Sequence, residues 1–210
     1  MTDLTFNALR SEYEDLWGKV NVAGGIRSAH IHETMREASA IVAPAAKARF
    51  LEVQQRTSVP WFVTGIVSTR EGGSPPNFHC WLHNGDSMFD HNGNPRRTHD
   101  VPANRPPNPA CSWEDGAVDA YTIEGLLGKL DWSPAFVAWL LEKFNGWGYR
   151  LYHHIPSPYL WGGTIVQKPG KYTADRVYDS SVMDTQIGGM ALLAGLMQID
   201  PDVKFSTPAA

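Results

Sequence analysis

Apolar residues in the N-terminal part of the chain return at steps of three and four: Phe6, Leu9, Tyr13, Leu16, Trp17 and Val20 would share one helix face. Gly24-Gly25 breaks that rhythm. Ser28 is placed to cap a second helix carrying Ile31, Met35, Ala38 and Val42, and Pro44 kinks or restarts it. From Ala45 to Gln55 the chain is rich in Ala, Lys, Arg, Leu, Glu and Gln, so helix continues. A further helix is expected from Ser58-Val59-Pro60, with Pro near its first position and Trp61, Phe62, Gly65, Ile66 and Thr69 facing inward. Gly72-Gly73 can end it, because glycine takes a left-handed cap without penalty.

Between Asn77 and Asn94 the pattern changes. Phe78, Cys80 and Leu82 alternate, His83-Asn84-Gly85-Asp86 is a turn signal, and Met88-Phe89 restart before a second turn, which predicts a small irregular β-hairpin. A Pro/Asn-rich loop follows from Asp100 to Ser112. Ser112 and Asp115 have capping-box spacing for a helix bearing Ala117, Ala120, Tyr121, Ile123, Leu127 and Leu130. Ser133-Pro134 opens the next helix, closed at Asn145-Gly146. Pro156, Pro158 and Gly162-Gly163 predict loop or short β, and Ser181 with Asp184 would cap a last helix carrying Ile187, Leu192, Leu193 and Leu196. The expectation is a mainly α chain with a small β-hairpin (α+β), forming one domain over 1–210 with a helical segment 1–57 and a core 58–200.

Composition narrows the function. Hydrophobic content of 42% and 8 Trp supply a substantial core, so the chain does not read as disordered. The net charge of -4, without a Lys/Arg run interleaved with aromatics, argues against nucleic acid. The N-terminus lacks a basic region followed by an apolar one, so the expectation is cytoplasmic synthesis without a secretory signal. The apolar run Ile187 to Met197 is too short to span a bilayer, so stable membrane insertion is not expected. Cys80 and Cys111 are read as two unpaired thiols.

The chemistry concentrates in Ser68 to Asp86, STREGGSPPNFHCWLHNGD. Glu71 would occupy the last turn of a largely apolar helix, where the partial negative charge of the helix end disfavours an ionised carboxylate. Partial burial would add to this and raise its pKa, which suits a general acid; a solvated Glu at a helix end is the bland alternative. Asp86 could stabilise positive charge on a sugar or position water, or could simply bond nearby backbone N–H groups as a turn residue. Thr98 and Asp100 could orient a water instead. His79, His83 and Asp86 suggest zinc, but on an extended strand residues four apart lie ~13 Å apart, too far to share a metal unless the strand bends. His83 can bond within the hairpin or contact sugar. Asn145, Trp147 and Tyr149 follow a helix end, and they, like Tyr159 and Trp161, can be cap and core or ligand-facing groups. Glu142, inside its helix, reads as a salt-bridge partner.

Four stretches in order, TREGGSPPNFHCWLHNGD, EKFNGWGYR (Glu142 to Arg150), SPYLWGGT (Ser157 to Thr164) and GKYTAD (Gly170 to Asp175), resemble a phage and prophage endolysin-like family of lysozyme-fold muramidases. The match runs from Trp61 to Leu196, and FNGWGY also looks like a motif of lytic transglycosylases. The resemblance implies a lysozyme-like fold and a peptidoglycan glycosidase whose general acid, Glu71, protonates the oxygen between N-acetylmuramic acid and N-acetylglucosamine. Relatives more often carry Ser after the acid, where this chain has Gly72. On this reading the assisting catalytic group would be Asp86, or Thr98 in its place, and His83, Asn145, Tyr149 and Tyr159 would be the contacts to the glycan strand. No cofactor or metal is needed for that chemistry. A separate holin-type protein would give the enzyme access to the wall. A transglycosylase leaving 1,6-anhydro products, a zinc-dependent amidase and a non-catalytic wall-binding protein remain the alternatives.

Overall fold

Side-chain caps and prolines mark where most of the helices begin. In the computed structural model, which describes residues 2–174 and 177–207, Thr5 accepts from the N–H of Ala8 and opens α1 (Phe6–Val20). A single 3-10 turn at Ser28–His30 leads into α2 (Ile31–Val42), and Pro44 opens a separate helix, α3 (Pro44–Thr57). Pro60 precedes α4 (Trp61–Gly72). The expected reciprocal cap of Ser112 and Asp115 opens α5 (Trp113–Ile123), with both of its hydrogen bonds formed. Ser133 caps α6 (Pro134–Asn145), Ser157 caps the short α7 (Pro158–Trp161), and α8 covers Gly189–Ile199.

The described chain is therefore mainly helical, with one small antiparallel sheet of two strands, β1 (Lys171–Ala174) and β2 (Val177–Asp179), in register Lys171↔Asp179 and Tyr172↔Tyr178. Asp175, the last residue of GKYTAD, lies outside the described residues. No helix among the described residues is long and apolar enough to cross a membrane.

Three expectations are corrected. The stretch from Asn77 to Asn94 makes only isolated bridges, Cys80↔Ser87 and Phe89↔Pro95, and the regular hairpin lies at β1–β2 instead. Local side-chain bonds explain this: Asn77, Asn84 and Asp90 each accept from a backbone N–H two residues on and draw the chain into turns that compete with a ladder. Leu127 and Leu130 are not on α5; the chain turns at Gly125 and leaves them 45% and 71% exposed. Ser181 does not cap the last helix, since it bonds Asp179, and Gly188 holds the cap position.

The chain gathers into two compact units. One is the central stretch Ser39–Leu130; the other, here the terminal unit, joins the chain up to Ala38 with that from Asp131 onward. α3 packs on α4 and α5 within the central unit, and the boundary between the two units falls inside α2.

In the terminal unit, Leu9, Tyr13, Trp17 and Val20 of α1 are buried and α1 packs on α6, with Phe6 meeting Phe136 edge-on at 5.2 Å. In the central unit, Phe50, Phe78 and Trp113 form an aromatic cluster, with the Arg49 guanidinium 4.1 Å from the Phe78 ring centroid while it also pairs with Glu114. Trp81 is fully buried, donates its indole N–H to the Arg96 carbonyl (2.9 Å) and lies flush against Gly116 of α5.

A Cβ at Gly116 would sit 2.3 Å from the Trp81 ring. Gly116→Ala gains about 1 kcal/mol in helix propensity but overpacks the core by about 1–3 kcal/mol. The expected outcome is a lower urea midpoint with an unchanged slope, measured by equilibrium unfolding.

Candidate functional site

Helix α4 is buried without interruption from Trp61 to Thr69, and only its last turn emerges. Glu71 stands in that turn, half-buried, at the negative end of the helix dipole. Gly73, at φ +95°, stops the helix and donates its N–H to the Thr69 carbonyl.

The His83–Asp86 turn is seated directly on this helix end. Gly85 has φ +79°, and a Cβ there would lie 2.4 Å from the main-chain oxygen of Glu71. The turn is closed on itself by Gly85 N–H to the Trp81 carbonyl (2.9 Å) and Trp81 N–H to the Asp86 carbonyl (2.7 Å). The sequence therefore brings Glu71 and the residue before Asp86 into main-chain contact, and it needs glycine to do so.

Asp86 has an organising task. Its Oδ2 accepts from the N–H groups of His99 (2.7 Å) and Asp100 (3.0 Å) and from the Asn84 amide (3.0 Å). Arg96 approaches its Oδ1 at 3.9 Å. Burial alone would push the carboxyl up, but the N–H groups of Asp100 and His99, the Asn84 amide and Arg96 outweigh it and hold the pKa below the usual carboxylate range. Asp86 is thus an anion at neutral pH that pins the loop at 99–100 to the turn beside Glu71.

Thr98 and His83 are not placed as expected. The Thr98 hydroxyl, on a residue only 3% exposed, donates to the Pro102 carbonyl and accepts from the Arg105 N–H (2.9 Å), so it knots the 98–105 loop. The His83 side chain is fully buried, with Nε2 2.9 Å from Asp119 Oδ2. Burial lowers its pKa despite the neighbouring Asp119, so the ring is neutral at pH 7 and out of reach of a sugar. Asp119 in turn receives a two-pronged bond from Arg105. Asp119 and Arg105 were missed in the sequence because His83 and Asp119 lie far apart along the chain and no local spacing links them.

The remaining expected residues belong to the terminal unit. Asn145, exposed at the end of α6, donates to the buried Ser157 hydroxyl (3.1 Å), and the same hydroxyl accepts from the N–H of Tyr159 (3.3 Å). Asn145 and Tyr159 are therefore joined through Ser157, with Tyr159 itself 7% exposed and Trp161 1% exposed. Tyr149 begins a π-helical turn, Tyr149–His153, and its hydroxyl accepts from the Tyr172 N–H (3.2 Å) of β1. It is 8% exposed and makes edge contacts with Tyr172 and Tyr178, so the structure puts it in the core rather than on a binding surface. Glu142 is a salt-bridge partner: it is 1% exposed, takes two bonds from Arg150 and receives the Tyr13 hydroxyl.

His79 and Asp86 do not join His83 around a common point, and no group of three or more His, Cys, Asp or Glu able to hold a metal is found among the described residues. Cys80 and Cys111 are both free thiols; burial first, then Asp86 and Asp115 respectively, push their pKa values up. Comparison of the chain with family models, curated proteins and solved structures gives no match.

Because the folded carboxyl of Asp86 titrates below its unfolded value of about 3.9, its contribution is complete above that pH and is lost as pH falls through the folded value. Asp86→Ala removes three accepted hydrogen bonds and is expected to cost about 1–2 kcal/mol at pH 7. The difference from the unsubstituted protein should shrink towards zero in unfolding curves taken at successively lower pH below about 4. A difference constant with pH would mean that the Asp86 charge contributes nothing to the loop.

Proposed function

We propose that the protein is a peptidoglycan glycosidase of lysozyme type, with a lysozyme-like fold and Glu71 as general acid. The observation that carries this reading is the seating of the His83–Asp86 turn on the last turn of α4, which puts a half-buried carboxyl and an anionic one on adjoining segments. Glycosidic bonds are cut by such a combination: one carboxyl gives a proton, and negative charge nearby steadies the cationic sugar. Glu71 would transfer its proton to the bridging oxygen as the bond from that oxygen to the anomeric carbon breaks. Water then adds to that carbon and a proton returns to Glu71. The four-motif resemblance to endolysin-like muramidases supplies the substrate: the glycan strand of the bacterial wall. A separate holin-type protein would open the route to it, and no cofactor is required.

A second reading has an observation in its favour. The Asp86 Oδ2 accepts the N–H groups of His99 and Asp100 and the Asn84 amide, so this carboxylate is engaged in holding the loop to the turn, which leaves Glu71 as the carboxyl assigned to the chemistry. A lytic transglycosylase works with a single acid: after protonating the leaving oxygen, its carboxylate takes the proton of the muramic 6-hydroxyl as that hydroxyl attacks the anomeric carbon. The product is a 1,6-anhydro sugar, lighter by one water than the hydrolytic product.

Glu71→Gln is nearly isosteric and should leave the circular dichroism spectrum and melting curve unchanged while lowering wall clearing in a zymogram by at least about 100-fold. Equal clearing by both proteins, or none by either, overturns the assignment. Mass spectrometry of the released muropeptides separates the two readings: water-added ends identify the hydrolase, anhydro ends the transglycosylase.

A further inference from the structure

The terminal unit holds a pocket that plays no part in the chemistry above. It has a volume of about 210 Å³ and opens beside the 22–26 loop, between the start of α2 and the C-terminal end of α8. Val22, Ile26, Ile31 and Met35 supply its apolar walls, and Val22 and Ile31 are also 58% and 49% exposed at the surface. A wider hollow of about 440 Å³ shares Val22, Ala23, Ile26 and Gln198 with it.

Thr34 is the informative residue. It lines the pocket and is 1% exposed, yet its hydroxyl oxygen is buried with no hydrogen-bond partner among the described residues. Its methyl group faces α8, where a Cβ on Gly195 would meet it at 3.1 Å. A helical threonine would ordinarily bond back to a carbonyl one turn earlier, as Thr57 and Thr69 do here. An orphaned hydroxyl is costly, and such groups are rare in folded proteins unless something from outside completes them.

The pocket is also preformed. Ile26 bridges to Thr164, the Ile165 N–H bonds the Gly25 carbonyl (3.0 Å), and the Arg27 side chain holds the carbonyls of Thr164 (2.7 Å) and Gln167 (2.9 Å). The loop beside the pocket is therefore anchored on its far side, and a ligand would not need to order it.

We propose that this pocket binds a small neutral amphiphile: an apolar body about the size of one aromatic ring, bearing a single hydrogen-bonding group that meets Thr34. Size, polarity and charge each set one part of that description. An apolar cavity of about 150 Å³ already accepts benzene, so a ring with one or two substituents fits the volume seen here. The lone buried hydroxyl asks for one polar group. Among the described residues no charged side chain lines the pocket, so an ionic ligand would lose hydration with nothing to replace it. This site is independent of the glycosidase reading.

The probes are p-cresol and toluene, which differ by one hydroxyl, titrated into the full chain while methyl resonances are followed by NMR. In the unsubstituted protein p-cresol is expected to shift the methyls of Val22, Ile31 and Met35. Thr34→Val should weaken p-cresol about five- to tenfold and leave toluene unweakened, and Thr34→Ser should retain p-cresol binding. No shift with p-cresol, or an equal loss of both probes in Thr34→Val, overturns the proposal. Should Thr34→Val not fold, Ala23→Leu, a substitution at an exposed lining position, decides: it should block p-cresol, and persistence of the same shifts overturns the site.

Discussion

A missing side chain underlies the organisation of the central unit. Because Gly85 carries no Cβ, the His83–Asp86 turn can lie against the main-chain oxygen of Glu71. Around that contact the other interactions form a connected series: Asp86 holds the N–H groups of His99 and Asp100, Thr98 ties Arg105, and Arg105 grips Asp119, which faces His83 in the turn where the series began. The series closes on itself. Irregular backbone of this kind has no ladder to satisfy its polar groups, so it persists only where side chains do so one by one. Trp81 adds the apolar counterpart, filling the space beneath the loop and bonding the Arg96 carbonyl.

The terminal unit uses charge differently. Glu142 lies deep in α6 with Arg150 and the Tyr13 hydroxyl on it, and Arg150 reaches out to Glu12 as well (2.7 Å). A buried carboxylate is costly unless its lone pairs are filled, and here α1 brings the Tyr13 hydroxyl and the π-helical turn brings Arg150 to the carboxylate of α6. The pairing fixes how these segments meet more than it adds to stability, since a well-packed apolar group of similar volume often does as well.

Helices were legible in the sequence at most places where a cap and an apolar stripe agreed, Ser181 before the last helix being the exception. Ser112 with Asp115, Ser133-Pro134, and the rhythm of Phe6 to Val20 all appear as anticipated. Legibility failed where polar side-chain bonds, local or long-range, decide. Alternation in Phe78, Cys80 and Leu82 suggested strands, but local Asn and Asp bonds captured the same stretch as turns. At the candidate site, the position of Glu71 at the end of a buried helix was readable from composition and Gly72-Gly73. The burial of His83 was not, because its partner Asp119 is on α5 and only tertiary packing brings them together. Thr98 and Tyr149 show the same limit: nothing in their immediate neighbours reveals that each hydroxyl is already engaged.

The two sulfurs carry a consequence for handling the protein. Reaction with oxidants and disulfides proceeds through the thiolate, and at Cys80 and Cys111 burial and a neighbouring carboxylate both keep the proton in place. Each is only partly accessible. At neutral pH both sulfurs therefore form disulfides more slowly than an exposed thiol of ordinary acidity.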